Sequence, residues 1–141
     1  MTELHAWMTV IETAADEDTI PPEILRQRTE RVRSIIAQNT CGIVPEYRNG
    51  QMFLQTLCCA NHRTPEFGEI IRIYRQIAET ADGSYGMIWL RDDEDPQYQN
   101  AMQAFIIKRG RLMQTADPFF SPCIPEIEDG CTAPHEKETE L

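Results

Sequence analysis

The chain has 141 residues, of which 41% are hydrophobic and 26% are charged, and this length and composition fit one compact domain with its own core. The hydrophobic fraction excludes a wholly disordered chain, and the longest apolar runs are too short to cross a bilayer. Asp and Glu outnumber Lys and Arg by 23 to 13, which gives a net charge of −10. This charge disfavours nucleic-acid binding through a basic surface and favours a basic partner.

The N-terminus and the cysteines indicate the compartment. The first ten residues, MTELHAWMTV, lack the basic start and continuous apolar core of a secretory signal, so we expect a cytoplasmic protein. No C-x-x-C spacing occurs among the five cysteines, which are Cys41, Cys58, Cys59, Cys123 and Cys131. We therefore expect buried reduced thiols, which this pattern favours over a structural disulfide or a metal site. No metal or cofactor is expected.

The first predicted elements are a strand and a helix. Alternating apolar residues predict a strand from Leu4 to Glu12, with Leu4, Ala6, Met8 and Val10 on one face. After an acidic turn, Pro21-Pro22 suits the first turn of a helix that we expect to run to Gln38. Its apolar stripe is formed by Leu25, Val32 and Ile36.

A hairpin and a second helix follow. Asn49-Gly50, a pair favoured in type I′ turns, connects strands predicted at Ile43–Arg48 and Gln51–Cys59. Thr64 and Pro65 then suit the N-cap and the first position of a helix. The helical spacing of its apolar residues is the most regular in the chain, at Phe67, Ile70, Ile71, Tyr74, Ile77, Ala78 and Ala81.

Three further strands complete the pattern, at Ser84–Arg91, Ala101–Lys108 and Arg111–Thr115, and the last two form a pair joined at Arg109-Gly110. The order βαββαβββ matches the ferredoxin-like split βαβ pattern in its first six elements. We therefore predict an α+β fold, a largely antiparallel sheet with two helices on one face. Residues 1–130 are expected to form one domain, and 131–141 an acidic flexible tail.

The densest anionic patch is the acidic loop Asp92-Asp93-Glu94-Asp95, directly after a predicted strand. A solvated turn, a docking patch for a basic protein and a Ca²⁺ or Mg²⁺ site are the three interpretations. The alternating ligands and central glycine of an EF-hand are missing. We retain Asp92, Asp93, Glu94 and Asp95 as candidate partner-binding residues.

A second acidic region spans 117–141, where seven acids accompany one base, Lys137. A solvated tail is one interpretation. Glu126, Glu128 and Asp129, however, lie in a stretch that also holds isoleucines, so we expect it to pack on the domain and present three carboxylates to Lys or Arg of a partner. Five aromatic residues could anchor a partner, although we expect each of them to lie in the core instead: Trp7, Tyr47, Tyr98, Phe119 and Phe120.

Two motifs raise the question of catalysis. Cys59 and His62 are close in sequence, but a nucleophilic Cys needs a base within hydrogen-bond reach, and these two fall in a strand end and a turn. Gly83-Ser84-Tyr85-Gly86 lacks the context of a phosphate loop or a nucleophile elbow. Its glycines are expected to shape a turn and let backbone pass closely, and we predict no catalytic residue.

Several segments together resemble a known family in their order and spacing. They are Leu4-His5-Ala6-Trp7, Asn61-His62-Arg63, Gly83-Ser84-Tyr85-Gly86, Trp89 to Asp95, Asn100, Lys108-Arg109-Gly110, and Asp117 to Cys123 with Glu128-Asp129. Over roughly residues 4 to 129 the chain resembles the immunity protein seven family of bacterial polymorphic-toxin systems. The resemblance implies a small α+β inhibitor without enzymatic activity, which binds a cognate C-terminal toxin domain, often one delivered by contact-dependent inhibition.

We therefore expect an immunity protein that binds its toxin stoichiometrically, with no direct binding of nucleic acid or membrane. Many toxins of such systems are basic nucleases, which would fit an acidic inhibitor. One alternative is a ferredoxin-like ligand-binding or regulatory domain with a concave apolar pocket. Another is a small enzyme that uses Cys59 and His62, or a metal held by the acidic loop.

Overall fold

A computed structural model describes residues 1–117, which contain two α-helices and six strands in the predicted order. A single 3₁₀ turn at Glu17–Thr19 precedes the first helix. The elements are β1 (Thr2–Val10), α1 (Pro22–Gln38), β2 (Val44–Arg48), β3 (Gln51–Ala60), α2 (Pro65–Thr80), β4 (Tyr85–Asp92), β5 (Gln103–Lys108) and β6 (Arg111–Ala116).

The six strands form one sheet in the order β2-β3-β1-β4-β5-β6, and every neighbouring pair is antiparallel. Its first four strands have the ferredoxin-like arrangement, with β1 between β3 and β4, while β5 and β6 extend the sheet beyond β4. The predicted α+β class is therefore confirmed. Within residues 1–117, neither helix is long and apolar enough to span a membrane.

Both predicted hairpin turns form, and both have the backbone conformation of a type I′ turn. Asn49 and Gly50 have φ angles of 49° and 75°, and Arg109 and Gly110 have 49° and 71°. Two consecutive positive φ angles are what a type I′ turn requires, and they match the twist of the flanking strands. Each turn thereby sets the register of its hairpin.

The hydrophobic core lies between one face of the sheet and the two helices. Leu4 and Met8 of β1 point into it, as do Leu54 of β3 and Ile88 of β4, and all four are fully buried. The helices complete this core with Val32, Ile35 and Ile36 from α1, and Phe67, Ile70, Tyr74 and Ile77 from α2.

The other face of the sheet carries no helix in the described part of the chain; we call it the open face. Residues opposite each other on antiparallel strands point to the same side. Pairing therefore places three sets of side chains across the centre of the open face: His5 with Leu57 and Trp89, Trp7 with Gln55 and Met87, and Thr9 with Phe53 and Tyr85.

The glycines of the Gly83–Gly86 segment allow β4 to approach β1. A Cβ atom on Gly83 would lie 2.2 Å from the Thr13 carbonyl oxygen, and one on Gly86 would lie 2.2 Å from that of Trp7. Between them, Ser84 Oγ accepts from the Ile11 amide at 3.0 Å and lies 3.3 Å from the Ile11 carbonyl oxygen, to which it donates. The predicted structural role of this motif is confirmed.

Some predicted details were wrong. β1 ends at Val10 rather than Glu12, because the side chain of Ser84 takes the Ile11 amide. β5 begins at Gln103 rather than Ala101, because residues 95–101 turn on hydrogen bonds to Asp95. Thr64 occupies the N-cap of α2 without a capping side-chain bond.

The expected burial of the cysteines is only partly right. Cys41 is buried, Cys58 is half-buried and Cys59 is exposed, and none of the three is in a disulfide. Burial raises the pKa of the Cys41 thiol and of the Cys58 thiol, which keeps both protonated at neutral pH. Cys123 and Cys131 lie outside the described residues.

Candidate binding surface

The acidic loop lies at the end of the sheet where β1 begins and β4 ends. Thr2 pairs with Asp92 across these strands, which brings the N-terminal ammonium beside the loop. Asp93 forms an ion pair with this ammonium, and its amide donates to the Met1 carbonyl at 3.4 Å. The hydrogen bond from the N-terminus lowers the pKa of Asp93, so its carboxylate stays charged to lower pH than a free Asp.

Asp92 serves the fold of the loop. Its Oδ1 atom accepts from the hydroxyl of Thr2 at 3.2 Å and from the amide of Glu94 at 3.1 Å. Arg63 Nη1 lies 3.9 Å from its other oxygen. This buried carboxylate is therefore occupied by partners within the chain.

Asp95 closes the next turn. Its carboxylate accepts from the amides of Gln97 at 2.8 Å and Tyr98 at 2.9 Å, and from Gln103 Nε2 at 3.3 Å. The bond from the Tyr98 amide is the main cause of the lowered pKa of Asp95. Asp95 thus holds residues 95–101 against the start of β5.

Glu94 points outward and joins two segments that are distant in sequence. Its Oε1 atom lies 2.8 Å from His62 Nδ1, which brings the Asn61-His62-Arg63 turn beside the acidic loop. The side chains of Asp93 and Glu94 are 38% and 55% exposed, against 5% and 14% for Asp92 and Asp95. Two of the four predicted partner-binding carboxylates are thus accessible, and the binding role of all four remains a prediction.

The other predicted partner-binding residues, Glu126, Glu128 and Asp129, lie outside the described residues, as do Phe119 and Phe120. Trp7 and Tyr47 were expected in the core, but both are exposed. Trp7 lies on the open face, where its ring meets Tyr85 edge-to-face at 6.2 Å.

The open face is the main exposed apolar surface of the described chain. Eight large hydrophobic side chains are exposed in residues 1–117, and five of them, Trp7, Val44, Leu57, Tyr85 and Met113, are on this face. Leu57 is the most exposed, at 72%. Leu57 is not among the anchors predicted from the sequence, although the alternation along β3 places it on the face opposite to Leu54 and Thr56.

A hollow of about 450 Å³ lies on the open face beside Trp7, with Glu46, Arg48, Phe53 and Gln55 in its lining. A smaller cavity of about 130 Å³, lined in part by Val10, Tyr47 and Met52, lies at the hairpin end of β3. Pockets for small ligands usually enclose roughly 300–1,000 Å³. The smaller cavity falls below this range, whereas the hollow on the open face falls within it.

The residues proposed for catalysis do not form a catalytic pair. His62 Nδ1 is bonded to Glu94, and Cys59 lies on the open face opposite Glu3 in the β1–β3 pairing. No group of three His, Cys, Asp or Glu side chains in residues 1–117 is arranged to hold a metal ion.

The fold and this surface define a small α+β domain of ferredoxin-like topology with one sheet face uncovered in its described part. A family model described as Immunity protein 7 matches residues 1–129, and the chain therefore belongs to that family. It is an immunity protein, whose partner is a toxin, and its family indicates an inhibitor rather than an enzyme. No curated protein and no solved structure gives a significant match.

Proposed function

We propose that this immunity protein neutralises its toxin by forming a stoichiometric complex that blocks the toxin's active site. The toxin is the C-terminal domain of a secreted bacterial protein of a polymorphic-toxin or contact-dependent inhibition system, and the complex forms in the cytoplasm of the cell that makes the inhibitor. The family match over residues 1–129 carries this proposal.

The charge of the chain supports a basic toxin. A net charge of −10 attracts a basic domain over a distance of about a Debye length and speeds the encounter. Asp93 and Glu94 supply accessible carboxylates at the end of the sheet. Glu126, Glu128 and Asp129 add three more in the sequence.

A nuclease is the toxin class that this charge favours. An enzyme that binds nucleic acid presents Lys and Arg to the phosphates, and carboxylates of an inhibitor can pair with the same groups. Inhibition then needs no cofactor and no chemistry from the inhibitor. Asp92 and Asp95 contribute by holding the loop that presents Asp93 and Glu94.

Co-expression with the toxin domain encoded beside this chain tests the proposal. We expect bacterial cells that make the toxin alone to die and cells that make both proteins to grow. In a nuclease assay, activity should fall to zero at one equivalent of inhibitor. Equal killing with and without the inhibitor contradicts the proposal.

A charge variant tests the steering role of the acidic loop. We expect Asp93→Asn with Glu94→Gln to slow association about five- to tenfold at low salt, with a smaller effect at high salt. The matched control is Glu17→Gln with Glu30→Gln, which removes two exposed charges on the helical side of the molecule. The control should change the rate less than about twofold, because these charges lie away from the acidic loop. Equal effects of the two double variants would show that only total charge matters.

A further inference from the structure

We infer that the toxin docks on the open face of the sheet, with Leu57 and Trp7 as its apolar anchors and Asp93 and Glu94 at the edge of the contact. This inference rests on the proposed function and names the surface that performs it. The partner surface it implies is an apolar projection flanked by Lys or Arg.

The exposure of Leu57 is the first observation. Leu57 lies on a strand in the body of the sheet, opposite His5 in the β1–β3 pairing, yet 72% of its surface is exposed. Together with Trp7 and Tyr85 it contributes to an apolar surface on an otherwise strongly acidic protein. Contiguous exposed apolar surface of this kind marks interaction sites in soluble proteins.

The residue types are the second observation. Trp, Tyr and Arg dominate the residues that carry the binding energy of protein interfaces. Both tryptophans of the chain, Trp7 and Trp89, point to the open face, as does the exposed Tyr85. The hollow of about 450 Å³ beside Trp7 gives an inserted side chain a place to be desolvated.

The charges on and around the face are the third observation. Arg91 Nε pairs with Glu3 at 3.2 Å within the face, so these two charges offset each other. Asp93 and Glu94 lie beyond this pair at one end. The β5–β6 hairpin places Lys108, Arg109 and Arg111 at the other end, near the start of β4. A basic partner is therefore drawn toward the acidic-loop end of a face whose central residues include no Asp, Glu, Lys or Arg.

The same charges disfavour two other occupants. A second copy of the chain also carries a net charge of −10, so two copies repel each other. Residues 118–141 contain six acids and a single base, Lys137. Ala116, the last residue of β6, pairs with Gln103, a hydrogen-bond partner of Asp95, so the described part of the chain ends beside the acidic loop. An external basic domain meets neither repulsion.

The test compares Leu57→Asp with Ile24→Asp in the full chain. Ile24 is an exposed apolar residue of α1 on the opposite side of the molecule, so both variants replace an exposed aliphatic side chain and add the same charge. Affinity is measured by calorimetry against a catalytically inactive form of the toxin domain encoded beside this chain. Urea unfolding of each variant checks its fold.

We expect Leu57→Asp to weaken binding about 100-fold or more and Ile24→Asp to change it less than about threefold. If Leu57→Asp proves unstable, Leu57→Ala replaces it, with an expected loss of about tenfold. If wild-type protein and the Leu57→Asp variant bind and neutralise the toxin equally well, the docking surface is wrong and the proposed function stands. Wild-type protein that neither binds nor neutralises the toxin overturns the proposed function and the docking surface with it.

Two further measurements identify another occupant and would also overturn the inference. One is a wild-type dimer in sedimentation that Leu57→Asp dissociates without loss of toxin binding, which assigns the face to a second copy. The other is acrylamide quenching of the two tryptophans. Quenching could be low in the free wild-type protein and rise in the Phe119→Ser variant but not in the Leu141→Ser variant. That result assigns the face to the chain's own C-terminal segment.

Discussion

The two faces of the sheet are built from the same strands but differ in what covers them. On β3, Leu54 points to the helices and is fully buried, whereas Leu57, three residues later, is 72% exposed. Alternation gives each strand two sets of side chains, and two helices cover only one of these sets. Within residues 1–117, the covered face therefore holds the hydrophobic core, and the large apolar side chains of the open face include five exposed ones.

Truncation of these two leucines should give the largest difference in stability between the two faces. We expect Leu54→Ala to lower the free energy of unfolding by about 3 kcal/mol, because it leaves a cavity in the core. Leu57→Ala should change it by less than about 0.5 kcal/mol. Urea unfolding followed by circular dichroism measures both. Equal losses would show that the open face also stabilises the folded chain.

The backbone contact between β1 and β4 should be nearly as sensitive. A Cβ atom at Gly86 would lie 2.8 Å from Met8 Cα as well as against the Trp7 carbonyl oxygen, and neither backbone atom can move without disturbing the pairing. We expect Gly86→Ala to destabilise the protein by about 2–3 kcal/mol.

Gly68 of α2 is the matched control for Gly86. Apart from its neighbours in the chain and the local backbone of α2, no atom lies within 4 Å of a Cβ atom built there. Gly68→Ala should stabilise the protein by about 0.5–1 kcal/mol, since alanine is the better helix former. Thermal unfolding that gives both variants the same sign would contradict the assigned role of Gly86.

The tyrosines of the two faces provide a smaller contrast. Tyr74 is fully buried, its hydroxyl lies 3.0 Å from Thr56 Oγ1, and burial raises the pKa of Tyr74 to about 12. We expect Tyr74→Phe to cost about 1–2 kcal/mol, because it leaves the Thr56 hydroxyl buried without this partner. Tyr85→Phe on the open face should be neutral to within about 0.5 kcal/mol. Urea unfolding of the two variants side by side decides between them.

The smallest expected effect is a pH dependence at the acidic loop. Hydrogen bonds lower the pKa of Asp95 in the folded protein, so the stability it contributes is present above its unfolded pKa of about 3.9. That contribution is lost as the pH falls through the lower folded value. We expect Asp95→Asn to lower the melting temperature slightly at neutral pH and to approach wild type in strong acid. A constant difference across this range would contradict the role of the Asp95 charge.

Local patterns in the sequence predicted much of the fold. The bounds of α1 at Pro22 and Gln38 follow from its prolines and apolar spacing, and the two hairpins follow from Asn49-Gly50 and Arg109-Gly110. These features depend on neighbouring residues and on steric limits at single positions. They can therefore be read without knowledge of the tertiary structure.

The binding surface depends on contacts between distant segments, which local patterns do not contain. Asp92 and Asp95 look equivalent to Asp93 and Glu94 in sequence, yet Thr2, Gln103 and backbone amides occupy them. On β3, the outward residues Phe53 and Leu57 are as hydrophobic as the inward residues Met52 and Leu54. Only the packing of the helices decides which set remains exposed.

The tryptophan indole signals in an ¹⁵N–¹H NMR spectrum report directly on whether the toxin binds the open face. Trp7 and Trp89 are the two tryptophans of the chain and both point to the open face, and a Trp7→Phe variant assigns their signals. If the toxin binds the open face, both indole signals should shift on addition of one equivalent of inactive toxin domain. A saturated complex in which both signals stay at their free positions would show that the toxin binds elsewhere.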